Sequence, residues 1–254
     1  MILIMYLYKI ILLLLILIIT KKFLVIETFK QEDVTYIFWT GGYDSTFRLC
    51  QAVIDENRIV QPIYISAIID NLEKNKTRRK SIVNEEKAMN IIIQKINSKY
   101  PNLKNKIKPL MNIKKIDIDD DINKAIKNLH KKKRMRRAVC QYNALAQVTR
   151  NLNKDIEMSV EYAPHDSMMF RNIFDSLVCK NNKCILKANL DEKNKDLYIF
   201  NRCTFPTIKY SKKKMLQIAK KNGYDDILHL TWSCWYPIQG KPCGRCIMCR
   251  ERII

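Results

Sequence analysis

Glycine and proline are scarce, with 5 and 7 in 254 residues. That excludes collagen-like and Pro/Gly-rich low-complexity chains. Acidic residues are few as well. Asp and Glu total 25 against 46 Lys and Arg, a formal charge of +21. A surface with that balance attracts polyanions. The charge has a second origin that stands beside the first: the chain is rich in Lys, Ile and Asn, whose codons are AT-rich. There is no internal repeat. What the chain does have is apolar residues, 47% of the total, enough for a sizeable core and against wholesale disorder. The length suits one large domain plus an appendage and is short for two full domains.

Residues 1–20 carry one charge, Lys9, and Ile10 to Ile19 is uninterrupted apolar sequence. About 20 residues is bilayer-spanning length, so residues 1–22 read as a membrane anchor. Lys21 and Lys22 on the C-terminal flank then place the body of the chain in the cytoplasm. Two alternatives stay open. One is a secretory signal peptide, although Ile18-Ile19-Thr20 is not a small-residue cleavage site. The other is a start further downstream. The nine cysteines are Cys50, Cys140, Cys179, Cys184, Cys203, Cys234, Cys243, Cys246 and Cys249. An odd count in a chain this long does not read as a disulfide scaffold. Four crowd into the C-terminal end, which predicts reduced thiols, a metal site and a cytosolic body.

After Lys22, strand-like and helix-like stretches alternate. Thr35–Trp39 is a short β-rich run, followed by a turn and an amphipathic stretch from Ser45 to about Asn57. Val60–Ile69 reads as a buried parallel strand. Residues 78–99 read as a helix whose apolar face is Ile82, Val83, Met89, Ile92, Ile93 and Ile96, ended by Pro101. Ile107–Ile118 holds a third strand. Basic Lys131–Arg137 leads into a helix, Ala138–Asn151, and Ile156–Tyr162 is a fourth strand. Residues 180–198 read as an exposed loop or hairpin. Ser211–Asn222 reads as a helix with Ser as its cap and Gly223 as its stop. The alternation predicts a doubly wound parallel α/β sheet over 33–230 and a small zinc knuckle over 231–254.

Two motifs carry chemistry. The first is Thr40-Gly41-Gly42-Tyr43-Asp44-Ser45-Thr46, where a strand hands over to a helix. Two glycines allow positive φ and close backbone approach to an anion. Ser45 and Thr46 put hydroxyls at a helix N-terminus, beside backbone N–H groups and the positive end of the dipole. The turn lacks the Lys of a Walker P-loop and the third Gly of a dinucleotide fingerprint. The second motif is Cys234-x8-Cys243-x2-Cys246-x2-Cys249. Four thiolates can close a tetrahedron around Zn²⁺, with an iron–sulfur cluster as the alternative. Four protein ligands leave no open position, so the role is structural. Arg245, Arg250 and Arg252 offset the charge of a metal–thiolate centre.

The string Thr40–Ser45 resembles the Ser-Gly-Gly-x-Asp-Ser signature of the PP-loop ATP pyrophosphatases, with Thr first. Thr231-Trp232-Ser233-Cys234 followed by Pro242-Cys243-Gly244-Arg245-Cys246 and Cys249-Arg250-Glu251-Arg252 is similar to the C-terminal zinc motif of the 7-cyano-7-deazaguanine synthase family. So is Pro206 to Ser211-Lys212 with the helix after it. The motifs stand in order from residue 34 to the C-terminus. The chain departs from the family at Ile247, around Glu161–Asp166 and on to Arg171, and at Ile68-Ile69-Asp70-Asn71.

The resemblance implies an adenine nucleotide alpha hydrolase-like fold and ATP-dependent adenylation with release of pyrophosphate. The activated group would be a carboxylate on a deazapurine-type small molecule, then aminated by ammonia. Asp44, Ser45 and Lys212 would be the catalytic residues. Thr40, Gly41, Gly42, Asp44, Ser45 and Thr46 would hold ATP and Mg²⁺. Arg48 and the pair Arg136–Arg137 are weighed as phosphate or surface groups, His165 with Asp166 as an acid–base pair or a loop, and Glu161 as a substrate contact or a cap. Trp232 and Trp235 read as packing around the knuckle. Further partners expected are a nucleic acid, a membrane and a second copy of the chain. The alternative functions are a tRNA- or DNA-modifying enzyme of the same type and a non-catalytic, membrane-tethered zinc module with a decayed ATP site.

Overall fold

A computed structural model describes residues 11–16, 33–66, 81–133, 139–163, 170, 173–181, 183–250 and 252. The chain divides into two units, residues 1–33 and 34–254. In the first, residues 11–16 are helical with exposed apolar side chains. The expected anchor otherwise falls outside the described residues, and among the described residues no helix is long and apolar enough to cross a membrane.

The second unit is built on a seven-stranded sheet. Its strands are β1 (Val34–Phe38), β2 (Ile59–Ile65), β3 (Met111–Ile113), β4 (Ile156–Glu157), β5 (Leu177–Lys180), β6 (Lys183–Leu186) and β7 (Cys203–Thr204). The helices are α1 (Tyr43–Cys50), α2 (Ile82–Lys99), α3 (Asp120–Lys133), α4 (Val139–Leu152), α5 (Lys212–Asn222), α6 (Asp225–Leu228) and α7 (Ile247–Arg250). The sheet order is β3-β2-β1-β4-β7-β6-β5. Five strands, β3 to β7 in that order, pair in parallel, and β6 and β5 add an antiparallel edge. The chain runs outward from β1 to β3 and then returns to β4 on the other side of β1. That reversal opens a crevice at the carboxyl ends of β1 and β4, where open α/β sheets bind ligands.

Strand residues alternate between two apolar clusters. Ile37, Val60 and Tyr64 join Phe47 of α1, Met89, Ile92 and Ile96 of α2, and Met215 and Ala219 of α5. Phe38 and Ile63 join Ile122, Ile126 and Leu129 of α3 and Leu145 and Val148 of α4. A helix layer on each face is what buries a parallel sheet on both sides. Helix α5 has the expected punctuation. Ser211 accepts a hydrogen bond from Lys214 N, and Gly223 takes the left-handed conformation at φ 75°.

Several expectations are corrected. The apolar face of α2 is Met89, Ile92 and Ile96, with Ile82 and Ile93 packed against its edge, whereas Val83 is 75% exposed. Glu85 occupies the buried stripe one turn before Met89, because positions 85, 89, 92 and 96 recur at the helical period. Helix α3 was not expected. Its Ile122, Ile126 and Leu129 form a stripe at i, i+4, i+7 under a lysine-rich surface. The stretch 180–198 supplies the turn and second strand of the β5–β6 hairpin, one of its two expected forms, but it is not all exposed: Leu197 within it is buried, as are Ile199 and Phe200 just beyond. Cys179 and Cys184 are not free thiols: they face each other across this hairpin and form a disulfide. An odd total never excluded one pair, and the short turn brings the two side chains opposite each other.

Candidate functional site

The glycine turn follows β1 directly. Gly41 has φ +69°, and a Cβ there would lie 3.0 Å from Met89 Cγ and 3.2 Å from Glu85 O. Only glycine lets the turn pack this closely on α2. Gly42 then precedes α1 without a side-chain cap, and Thr46 N donates to Gly42 O at 3.0 Å as the helix begins. The hydroxyls expected to meet phosphate hold the turn through long bonds. Thr40 Oγ1 accepts from Gly42 N at 3.4 Å. Ser45 Oγ accepts from Thr40 N at 3.5 Å and donates to Gly42 O at 3.3 Å. Bonds near the outer limit are weak, so neither hydroxyl is firmly held. Asp44 is half-buried in the first helical turn.

Thr46, expected at the phosphates, and Arg48, weighed as a phosphate or a surface group, both turn into the interior. Thr46 is fully buried, and its Oγ1 accepts from Trp39 Nε1 at 3.0 Å. The helical period that sends Tyr43, Phe47 and Cys50 into the core sends Thr46 there too. Arg48 is neither at the phosphates nor on the surface. It is 3% exposed and forks onto Glu157 of β4 at 2.6 and 2.9 Å. Its other edge meets Glu56 at 2.5 and 2.9 Å and Gln51 at 2.9 Å. Burial lowers the guanidinium's proton affinity, but these carboxylates outweigh it and raise its pKa above the ordinary arginine value. Burial likewise pushes Glu56 up, and the bonds from Arg48 bring it below the usual carboxylate value. Arg48 thus bolts α1 to β4 beneath the turn.

Lys212, the first residue of α5, lies beside the start of α1 and the segment after β4. Its Nζ is 3.3 Å from Glu161 Oε1, with side chains 17% and 20% exposed. Its carbonyl accepts from the Tyr43 hydroxyl at 3.5 Å. Burial, then the Asp44 charge, pushes the Tyr43 phenol up to about 12. Tyr162 N donates to Tyr210 O at 2.9 Å, and the ring of Tyr210 meets Phe47 edge-on. These contacts seat the segment after β4 and the lead-in to α5 against α1. Lys213 and Lys214 face solvent. Sequence reasoning missed the buried carboxylate behind the turn: Glu85 accepts from Ser81 Oγ at 2.6 Å and from the Tyr64 hydroxyl at 2.7 Å. The available signal was one Glu set in an apolar stripe.

The four C-terminal cysteines meet. The sulfurs of Cys234, Cys243, Cys246 and Cys249 all lie within 4.8 Å of one another. Cys246 and Cys249 are 3.4 Å apart and Cys243 and Cys249 3.9 Å. A tetrahedral zinc–thiolate site has sulfurs about 3.8 Å apart, given its bond length of about 2.3 Å. The donor set therefore fits a metal ion such as zinc. Backbone N–H groups already point at the sulfurs, Cys243 N at Cys234 Sγ (3.2 Å) and Cys246 N at Cys243 Sγ (3.3 Å). The backbone N–H of Arg245 leads in drawing the Cys243 thiol down to about 6, while desolvation and then Cys246 push Cys249 up to about 12. A shared cation is what allows all four to ionise together. Arg252 donates to His229 O and Thr231 O at 3.4 and 3.3 Å, fastening the chain end to the segment before Cys234.

The two motifs touch. Trp232 N donates to Gly41 O at 2.9 Å, and the Trp232 indole donates to Cys234 O at 2.8 Å. Trp232 thus packs at the knuckle as expected, whereas Trp235 is exposed. Arg136, Arg137, His165, Asp166, Arg171 and the string Ile68–Asn71 lie outside the described residues. Comparison with protein-family models and with curated proteins finds no match to this chain.

Proposed function

We propose that this chain is an ATP-dependent adenylating enzyme of the PP-loop type, similar to the 7-cyano-7-deazaguanine synthase group, with an adenine nucleotide alpha hydrolase-like fold. One observation carries the reading. Three motifs far apart in sequence meet at the carboxyl end of β1: the Thr40–Ser45 turn, Lys212 at the start of α5, and the Trp232–Cys234 segment of the cysteine lobe. An α/β sheet needs no such meeting for its stability, and its reversal point is where nucleotides bind.

In this reading the turn's backbone, Thr40, Ser45 and Lys212 receive the β- and γ-phosphates of ATP, and Asp44 takes Mg²⁺. Preorganised donors of this kind stabilise charge that grows on a leaving pyrophosphate. A substrate carboxylate attacks the α-phosphorus, the bond to the β-phosphate oxygen breaks, and pyrophosphate departs. Ammonia then displaces AMP and leaves an amide. A second activation of the amide oxygen dehydrates it to a nitrile. Zinc in the cysteine lobe has no chemical part.

The test is product analysis with ATP labelled at the α-phosphate, 7-carboxy-7-deazaguanine and ammonium. Labelled AMP with pyrophosphate supports the proposal. Labelled ADP excludes it. Failure to bind ATP at all favours the non-catalytic zinc module.

A further inference from the structure

We infer that Trp232 is a positioning residue that couples metal binding in the cysteine lobe to anion binding at the glycine turn. The inference rests on reading that turn as a phosphate site. Trp232 makes one hydrogen bond to each motif, its backbone N–H to Gly41 O and its indole N–H to Cys234 O.

The bond to Gly41 sets an orientation. A carbonyl and the N–H that follows it share one rigid plane, so fixing one fixes the other. With Gly41 O held toward Trp232, the Gly42 N–H is directed to Thr40 Oγ1 at 3.4 Å. That plane lies between two glycines, where rotation meets little steric resistance. Rotated, the peptide would turn a carbonyl oxygen where an anion expects a donor. Trp232 therefore selects the receptive orientation. The residue itself depends on the lobe. Cys234 is 2% exposed, and its sulfur accepts from Cys243 N and stands among the four ligands. Among the residues from 232 to 250 whose burial is described, Cys234 is the only buried one. The lobe has little apolar core to hold Trp232 in place, and a bound metal supplies the crosslink.

Coupling between two sites is reciprocal in binding free energy. The experiment measures both directions on the full-length protein. The anion probe is the magnesium complex of α,β-methylene ATP, which cannot release pyrophosphate. Its Kd is read by calorimetry with zinc saturating and with zinc withdrawn by a chelator. The zinc Kd is read by competition with a chromophoric chelator, with and without the probe. The expected result is the same factor in both, about fivefold or more. Trp232→Phe keeps the aromatic body and the backbone N–H but loses the indole donor. It should bring the factor close to one while zinc still binds. A role confined to folding would weaken both ligands and leave the factor intact.

A factor of one in the unaltered protein, or an undiminished factor in Trp232→Phe, overturns the coupling while leaving the phosphate site in place. Absence of any probe binding overturns the phosphate reading and the coupling with it.

Discussion

The glycine turn and the cysteine lobe sit hydrogen-bonded to each other yet are stabilised in opposite ways. The turn is fixed from behind by a core. Trp39, Phe47, Met89 and Ile92 beneath it are buried without remainder, and Arg48 pins its helix to β4. The lobe exposes Trp235, Tyr236 and Ile238 and gathers four thiols instead. Burial stabilises through area, roughly 25 cal/mol per Å² of apolar surface. A metal stabilises through a few strong bonds and needs almost no area. A chain can therefore attach a small lobe to a large domain at the cost of four cysteines.

The largest effect should come from the lobe. Cys243→Ser removes one of four thiolates and the bonds that its sulfur accepts. Structural zinc sites are worth on the order of 10 kcal/mol in apparent binding free energy, so metal content should fall to background. Limited proteolysis should then cut within 231–254 and spare the sheet. Equal metal content in the variant, by elemental analysis, would refute the assignment. Unchanged protease resistance after metal loss would mean that the lobe holds itself.

Next comes the bolt beneath the turn. Arg48→Ala strands Glu157, whose side chain is 11% exposed, with Arg58 at 3.3 Å as its remaining ion pair among the described residues. Breaking a buried pair from one side costs about 3–5 kcal/mol. The urea midpoint of the whole 34–254 unit should fall accordingly while zinc stays bound. A drop below about 1 kcal/mol would place Arg48 among ordinary surface pairs.

Ser45→Ala should leave both folding and zinc unchanged. Among the described residues its hydroxyl makes two long bonds, both within the turn. On the proposed function it donates to developing charge, and losing one such donor costs roughly 10²–10³ in rate. Activity within a factor of ten of the unaltered enzyme would remove Ser45 from the catalytic set.

How far these two regions could be read from sequence follows from how each is built. The lobe's ligands are legible because spacing alone decides them: four cysteines in C-x8-C-x2-C-x2-C need no knowledge of the rest of the chain. The α5 cap and stop, Ser211 and Gly223, are legible for the same reason, since capping is local. The turn was legible only as a string. Which of its side chains face the crevice depended on the phase of α1, and Thr46 lies on the core side of it. Arg48 was opaque because its partner Glu157 is 109 residues away. Helix α3 was hidden by lysines on its outer face, and β7 by a length of two residues, too short for a period to register, whereas β4 starts at Ile156 as expected and ends early, at Glu157. The Cys179–Cys184 bond needed the register of a hairpin.

The smallest effect concerns the ion pair at the crevice. Lys212 Nζ lies 3.3 Å from Glu161 Oε1, so on the proposed function a polyphosphate competes with a carboxylate for that ammonium group. Glu161→Gln keeps the shape and the hydrogen-bonding capacity but removes the charge. Partly exposed pairs are worth up to about 1 kcal/mol, which sets the gain at about two- to fivefold in affinity for inorganic pyrophosphate. The gain should shrink as salt rises, since exposed charges are screened over about 10 Å at 0.1 M. Calorimetric titration at two salt concentrations reads both effects. Weaker binding in the variant would reverse the assignment. Glu161 would then serve the anion itself, through a divalent cation, and Lys212 would be its structural partner. Unchanged binding would remove Lys212 from the phosphate site. The turn would then hold its anion by backbone and hydroxyl donors alone, and the crevice would divide as the molecule does, one side built by packing and the other by fixed polar bonds.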